Sequence, residues 1–213
     1  MSRSEDKTVL SYHDSLLRTS DVNLLKGPNW LNDAIIGFYF EYLEQTSEVT
    51  ATKNLKLFGP ELTQLLKMTE EYSFLSPDVD YMFFPLNDCN NYEEVGGSHW
   101  SLLVYSKNEK ILCHFDSSAG GNNSVARDFG NKIIKHLVAD ADTGTVEFKN
   151  VPCPQQGNSY DCGIYVLCFA DIILEHLNSN SRIRDCDFGK ISSRVKNKRK
   201  ELLELIDELS KQS

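Results

Sequence analysis

Apolar positions along the chain follow two different spacings. Ile35, Ile36, Tyr39, Tyr42 and Leu43 recur at helical intervals and predict a buried helix from about Asp33 to Gln45, with Asn32 as its cap and Asp33 in its first turn. Gly59-Pro60 opens a second helix, about Pro60 to Met68, with Leu62, Leu65 and Leu66 inward. Ser124 is the expected cap of a third helix, to about Val138, with Val125, Phe129, Ile133, Ile134 and Leu137 along one side. A last segment, Ser192 to Lys211, carries Val195, Leu202, Leu203, Leu205, Ile206 and Leu209. The unbroken apolar run Tyr81 to Leu86 fits a central strand, with Pro85 near its end. Residues 99–105 and 110–116 read as two strands joined by a short polar turn, Ser106 to Glu109, and are expected to pair as a hairpin. Thr145 to Val151 alternates as a further strand, and Thr8 to Tyr12 makes a short one.

Between these segments the chain is polar. Thr46 to Leu57, Thr69 to Asp78 and Asn87 to Ser98 read as connections, Ser20-Asp21 as the cap of a brief turn from Val22 to Leu25, and Met1 to Lys7 as a disordered start. With no internal repeat and no break, residues 1–213 are expected to form one α+β domain, a central mixed sheet packed between helices.

One stretch changes character in its middle. Pro154 to Asp161 is polar and rich in turn formers, whereas from Gly163 the run IYVLCFADIILEHL has the spacing of a buried helix. Cys162 therefore falls at a helix N-terminus, where unpaired amides and the helix dipole favour a thiolate. Position alone does not separate a nucleophile from a small buried hydrophobe. The hairpin adds the missing partners: His99 opens its first strand, Asp116 closes its second, and those two ends are neighbours in an antiparallel pair. A base, an orienting carboxylate and a sulfur nucleophile make a plausible thiol-protease triad. His114 is a competing base, since a regular strand points it to the same face as Asp116.

The stretch QQGNSYDCG, the upstream His99-Trp100 and the strand-ending Phe115-Asp116-Ser117 resemble the Ulp-type cysteine proteases of the adenain-like clan, which include enzymes that remove ubiquitin-like modifiers. The similarity runs from about Leu10 to the C-terminal helix, and VLSYHDSLLRTSDVNLL with WLNDAIIGFYFEYL is most similar to the deneddylase branch. The resemblance implies the cysteine-protease fold with its nucleophile at a helix N-terminus. It also implies His99 as base, Asp116 as its orienter and Cys162 as nucleophile. Gln156, six residues before Cys162, matches the family's oxyanion donor; Gln155 is its rival, and the motif offset selects Gln156. Trp30 and Trp100 match two indoles that flank a tunnel for the substrate tail. Two flat walls would admit Gly-Gly and exclude any Cβ. Asn87 and Asp33 match modifier-facing positions, and Gly96-Gly97 would let the 87–98 loop close as a lid.

The implied activity is hydrolysis after the C-terminal Gly-Gly of a ubiquitin-like modifier, the neddylation modifier in this branch, in its precursor and on conjugates such as cullins. A SUMO protease is the alternative within the class, and a modifier-binding module without activity is the alternative outside it. The chain lacks the long N-terminal extension common in SUMO proteases. Net charge −9 argues against nonspecific nucleic-acid binding. The six cysteines lack the close pairs of a zinc site, so neither a metal nor another cofactor is expected. With no signal peptide and no apolar run of about 18 residues, the expectation is a cytoplasmic, also nuclear, monomer off the membrane. A basic cluster from Arg194 to Lys200 reads as the solvated face of the last helix.

Overall fold

The computed structural model describes residues 6–69, 71–89, 96–138, 145–180 and 182–212. In chain order the elements are β1 (Thr8–Tyr12), β2 (Ser15–Arg18), α1 (Thr19–Leu24), α2 (Asp33–Thr46), α3 (Glu48–Thr52), β3 (Leu55–Leu57), α4 (Pro60–Met68) and β4 (Tyr81–Asn87). They continue with β5 (Trp100–Ser106), β6 (Ile111–Phe115), α5 (Asn123–Leu137), β7 (Glu147–Asn150), α6 (Cys162–Ser179), a 3₁₀ turn over Ile183–Asp185, and α7 (Ile191–Ser210).

The strand order is β3-β4-β5-β6-β7, with β4–β5 and β5–β6 antiparallel and both outer pairs, β3–β4 and β6–β7, parallel. This is the expected mixed sheet. Its central strands are buried on both faces, which is why they read as continuous apolar runs. Tyr81, Phe83, Leu102, Val104, Ile111 and Phe115 face α2, α6 and α7, in the larger of two cores. Met82, Phe84, Leu86, Leu103, Tyr105 and Leu112 face α4 and α5 in the smaller. Pro85 is tolerated in β4 because its ring nitrogen, on the same edge as the Phe83 carbonyl that accepts from Phe58 N–H, lies past the point where β3 ends.

Helix α2 starts as the sequence suggests, with the Asn32 side chain accepting from Ile35 N–H at 3.2 Å. Several sequence expectations are corrected. Thr46–Leu57 is not a plain connection: it holds α3 and β3, whose alternation of Leu55 and Leu57 around Lys56 is too short to stand out. Ser124 does not cap α5, because the helix begins at Asn123 with Asn122 at the cap position. Of Met1 to Lys7, residues 1–5 lie outside the described residues, but Asp6 and Lys7 are tied down: Asp6 accepts from both the N–H and the hydroxyl of Ser20, and Lys7 O from Thr19 N–H. Finally, α6 does have the length and apolarity of a membrane-crossing segment, yet 78% of it is buried inside the fold. It is the central core helix.

The Arg194–Lys200 cluster is a solvated face only in part: Lys196 and Lys200 are exposed, but Lys198 and Arg199 turn inward. Lys198 is 4% exposed and meets Asp171 at 2.5 Å and the Tyr39 hydroxyl at 2.9 Å, while Tyr39 donates to Asp171 at 2.8 Å. This buried triad joins α7, α6 and α2. Burial pushes the Asp171 carboxyl up, and the Lys198 ammonium beside it works against that rise. Lys198→Met is expected to cost about 3–5 kcal/mol of stability by leaving a buried carboxylate unpaired. Because Asp171 then resists ionisation further, its folded pKa rises, and the loss in urea unfolding should grow as pH is raised.

Candidate active site

The β5–β6 register ends at Leu102 opposite Phe115. His99 lies one residue before β5 and Asp116 one residue after β6, so the hairpin brings them to one end of the sheet. His99 Nε2 sits 2.7 Å from Asp116 Oδ1. The carboxylate is held by three further constraints: Ser118 N–H donates to Oδ1 at 2.9 Å, Asn122 N–H donates to Oδ2 at 2.9 Å, and the residue is 8% exposed. Burial alone would push Asp116 up; the bonds from His99, Asn122 and Ser118 outweigh it and hold the carboxyl below its usual range.

Cys162 is the first residue of α6, and its sulfur is among the groups that act on the His99 ring. With Nε2 committed to Asp116, Nδ1 is the ring nitrogen left for the sulfur. Cys162 is only 2% exposed, a value that suits the small buried hydrophobe equally well; the imidazole beside the sulfur is what distinguishes it. Burial lowers the His99 pKa, but the bonds and charges of Asp116 and Cys162 prevail and push it up to about 9. The cation is therefore the favoured form of the ring beside the sulfur.

The rivals raised by the sequence have their polar atoms bonded elsewhere. His114 is 1% exposed, with Nδ1 3.0 Å from Asn150 Oδ1 and Nε2 3.0 Å from Ser101 Oγ. Both nitrogens are occupied away from the sulfur, and burial lowers the ring's pKa. Gln155 spends its amide hydrogens on the Asp116 and Cys153 carbonyls, at 3.0 and 2.9 Å, while its oxygen takes Ala119 N–H. It is a staple under the carboxylate. Gln156 has its oxygen fixed by the Ser117 hydroxyl at 2.8 Å and one amide hydrogen given to Asn158 O at 2.6 Å, so a single N–H is left to face a ligand.

The two indoles are both anchored. Trp30 is 49% exposed and donates to Ser159 O at 2.7 Å, within the loop that leads to Cys162. Trp100 follows His99 and donates to Leu31 O at 3.0 Å. Asp33 is exposed at the start of α2, where its carboxylate accepts from Ala34 N–H at 3.1 Å. Asn87 ends β4 opposite Trp100, and its side-chain oxygen accepts from Cys89 N–H at 2.8 Å. Of the Asn87–Ser98 connection, residues 90–95 lie outside the described residues. Its ends are pinned: Asp88 accepts from Ser98 N–H and from Ser98 Oγ, both at 2.6 Å, and Lys67 donates to Asn87 O at 2.5 Å. Gly97 has a packing reason, since a Cβ there would meet the Asn87 side chain at 1.7 Å.

Asn122 was not legible in the sequence, where Ser118 to Asn123 reads only as a glycine-rich surface loop. It is fully buried. Its Nδ2 donates to Ser101 Oγ at 3.0 Å and lies 3.3 Å from both Leu86 O and His99 O, while its N–H holds Asp116. Gly121 beside it lies against the imidazole, where a Cβ would approach His99 Cδ2 to 3.0 Å. Asp161 occupies the cap position of α6, but its carboxylate binds Arg199 and Asn158 rather than the helix amides. Among the described residues no three His, Cys, Asp or Glu side chains gather as a metal site.

The arrangement has the parts of a nucleophile–base–orienter relay. The raised His99 pKa fixes a sign: its contribution to folding is full below the unfolded value of 6.5 and is lost as pH rises through about 9. The same proton limits alkaline chemistry. Asp116→Asn removes the main support of that rise, so the alkaline limb of kcat/KM is expected to move to lower pH, with kcat down about 10⁴-fold. A pH–rate profile of the variant checks this.

A family model described as the Ulp1 protease family, C-terminal catalytic domain, matches residues 29–212. Sentrin-specific protease 8 of Rattus norvegicus is 41% identical over 180 residues, covering 81% of this chain and 82% of that protein. NEDD8-specific protease 1 of Arabidopsis thaliana is 33% identical over 226 residues, 99% of this chain and 97% of that protein. Among solved structures, the C-terminal Ulp1 protease domain in complex with SMT3, the yeast ortholog of SUMO, superposes with a TM-score of 0.67 at 22% identity, covering 97% of this chain and 89% of that one.

Proposed function

The chain belongs to the Ulp1 protease family, and from that premise we propose that Cys162, His99, Asp116 and Gln156 carry out hydrolysis after the C-terminal Gly-Gly of the neddylation modifier. Its cysteine-peptidase class and its action on ubiquitin-like modifiers follow from the family and from relatives named as NEDD8-specific proteases. The observation that carries the residue assignment is the imidazole bonded to Asp116 and acted on by the sulfur at the start of α6.

In the proposed reaction the thiol proton has already passed to His99 Nδ1, giving the imidazolium that the raised ring pKa favours, and the sulfur attacks the carbonyl carbon of the terminal glycine. The Gln156 amide and the Cys162 backbone N–H face the resulting oxyanion; one such donor is worth about 2.7–4 kcal/mol in the transition state. Collapse breaks the C–N bond, and His99 returns its proton to the departing amine. Water, deprotonated by the same ring, then cleaves the thioester to the modifier carboxylate and restores the thiol. Asp116 keeps the ring oriented and stabilises its charge.

Trp30 and Trp100 are assigned as the walls of the tail channel, their fixed N–H anchors supporting two rigid planes. Asp33, exposed at the foot of α2, and Asn87, at the base of the pinned loop, are assigned to the modifier's globular face. Precursor processing and release from cullins both follow from one cut after Gly-Gly. The protein would act as a monomer of one domain in cytoplasm and nucleus; cysteines held as thiols rather than disulfides support a reducing compartment.

Full-length modifiers carrying a C-terminal electrophile test the reading. Wild-type protein is expected to form an adduct at Cys162 with the neddylation reagent, and Cys162→Ser to form none. Capture by the SUMO reagent alone would overturn the substrate assignment, and noncovalent binding without capture would leave a binding module in place of an enzyme.

A further inference from the structure

Arg199 projects from α7 into the loop that presents the nucleophile. Its side chain is 17% exposed and the guanidinium uses all three nitrogens: Nε and Nη2 donate to Asp161 Oδ1 at 3.3 and 2.9 Å, Nη1 donates to Leu24 O at 2.9 Å, and Nη2 also donates to Asn29 O at 2.7 Å. The group also lies over the Tyr160 ring, 5.8 Å from its centroid. Asp161 and Asn29 are not arbitrary targets. Asp161 directly precedes Cys162, and Asn29 directly precedes Trp30.

A closed circuit results. From Arg199 it runs to Asn29 O, along the chain to Trp30, across the 2.7 Å indole bond to Ser159 O, and along the chain to Asp161 and back to the guanidinium. The loop within the circuit is folded about Asn158, whose side chain accepts from the Tyr160 and Asp161 N–H groups and donates to Asp161 Oδ2, and whose carbonyl takes the Gln156 amide. The base of the circuit is firm, because the neighbouring Lys198 is locked to Asp171.

We propose that Arg199 is a positioning residue that sets the separation between the Trp30 wall of the tail channel and the Cys162 sulfur. This rests on the channel reading of Trp30 given above. A planar fork with five N–H donors can hold a carboxylate and two carbonyls at once; an ammonium on a flexible stem does not reproduce that geometry. Loosening the fork frees the indole wall and the loop to drift, and misplacement by about 1 Å at a reacting centre can cost on the order of a hundredfold.

The test uses Arg199→Gln and Arg199→Lys in the full chain, with a fluorogenic amide of the full-length modifier as substrate. Alkylation of Cys162 by iodoacetamide, read by mass spectrometry of the Cys162 peptide, reports on the sulfur without needing the channel. Acrylamide quenching of Trp30 emission, measured in a Trp100→Phe background, reports on the wall. Both variants are expected to lose about tenfold to a hundredfold in kcat/KM, to keep the wild-type alkylation rate, and to show Trp30 more open to the quencher. Cleavage at the wild-type rate, cleavage and alkylation falling in parallel, or unchanged Trp30 quenching would each overturn the proposal. A wild-type protein that neither cleaves nor is captured would instead remove the functional reading beneath it, so the two failures are distinguishable.

Discussion

The antiparallel pairing of β5 with β6 is the constraint on which the site depends. It converts a sequence separation of 17 residues between His99 and Asp116 into a contact of 2.7 Å, and it does so with strands buried on both faces, whose register cannot slip without turning the apolar set of one core into the other. The polar groups needed for chemistry are left at the strand ends, where the sheet stops and loops begin. Cys162 reaches the same place by another route, at the mouth of a helix whose body is almost entirely core.

Around this junction the protein keeps polar groups buried and bonded to one another, with the Asn122 side-chain oxygen left without a partner. Asn122 N–H groups hold Asp116 and Ser101, the Ser101 hydroxyl meets His114, and His114 meets Asn150. These bonds run in one direction from donor to acceptor if His114 is the neutral Nδ1–H tautomer, which agrees with its lowered pKa. Two histidines thus lie near one carboxylate and are driven opposite ways. His99 gains charge from direct partners, and His114 loses it to burial among neutral ones.

What the sequence made legible was whatever rests on period and punctuation. The Asn32 cap of α2, the apolar run of β4, the hairpin and the break before Cys162 all carried local signals. β3 did not, because three residues are too few to establish alternation, and its parallel partner lies 26 residues on in sequence. Asn122 and Arg199 were illegible for a different reason. Each works through backbone carbonyls contributed by distant segments, and no residue type in the sequence marks a carbonyl that will need a donor. The basic cluster on α7 was misread on the same account: its charges looked solvated because Asp171 and Asp161, which receive two of them, belong to another part of the chain.

Helix α7 joins the structure after every other element in chain order, yet it supplies both Lys198 to the core triad and Arg199 to the nucleophile loop. A nascent chain that has made only the sheet and α6 holds the hairpin's histidine and the cysteine without the clasp that draws loop and indole together. Synthesis order therefore means that the clasp can close only once α7 has been made, the last of the described elements to leave the ribosome.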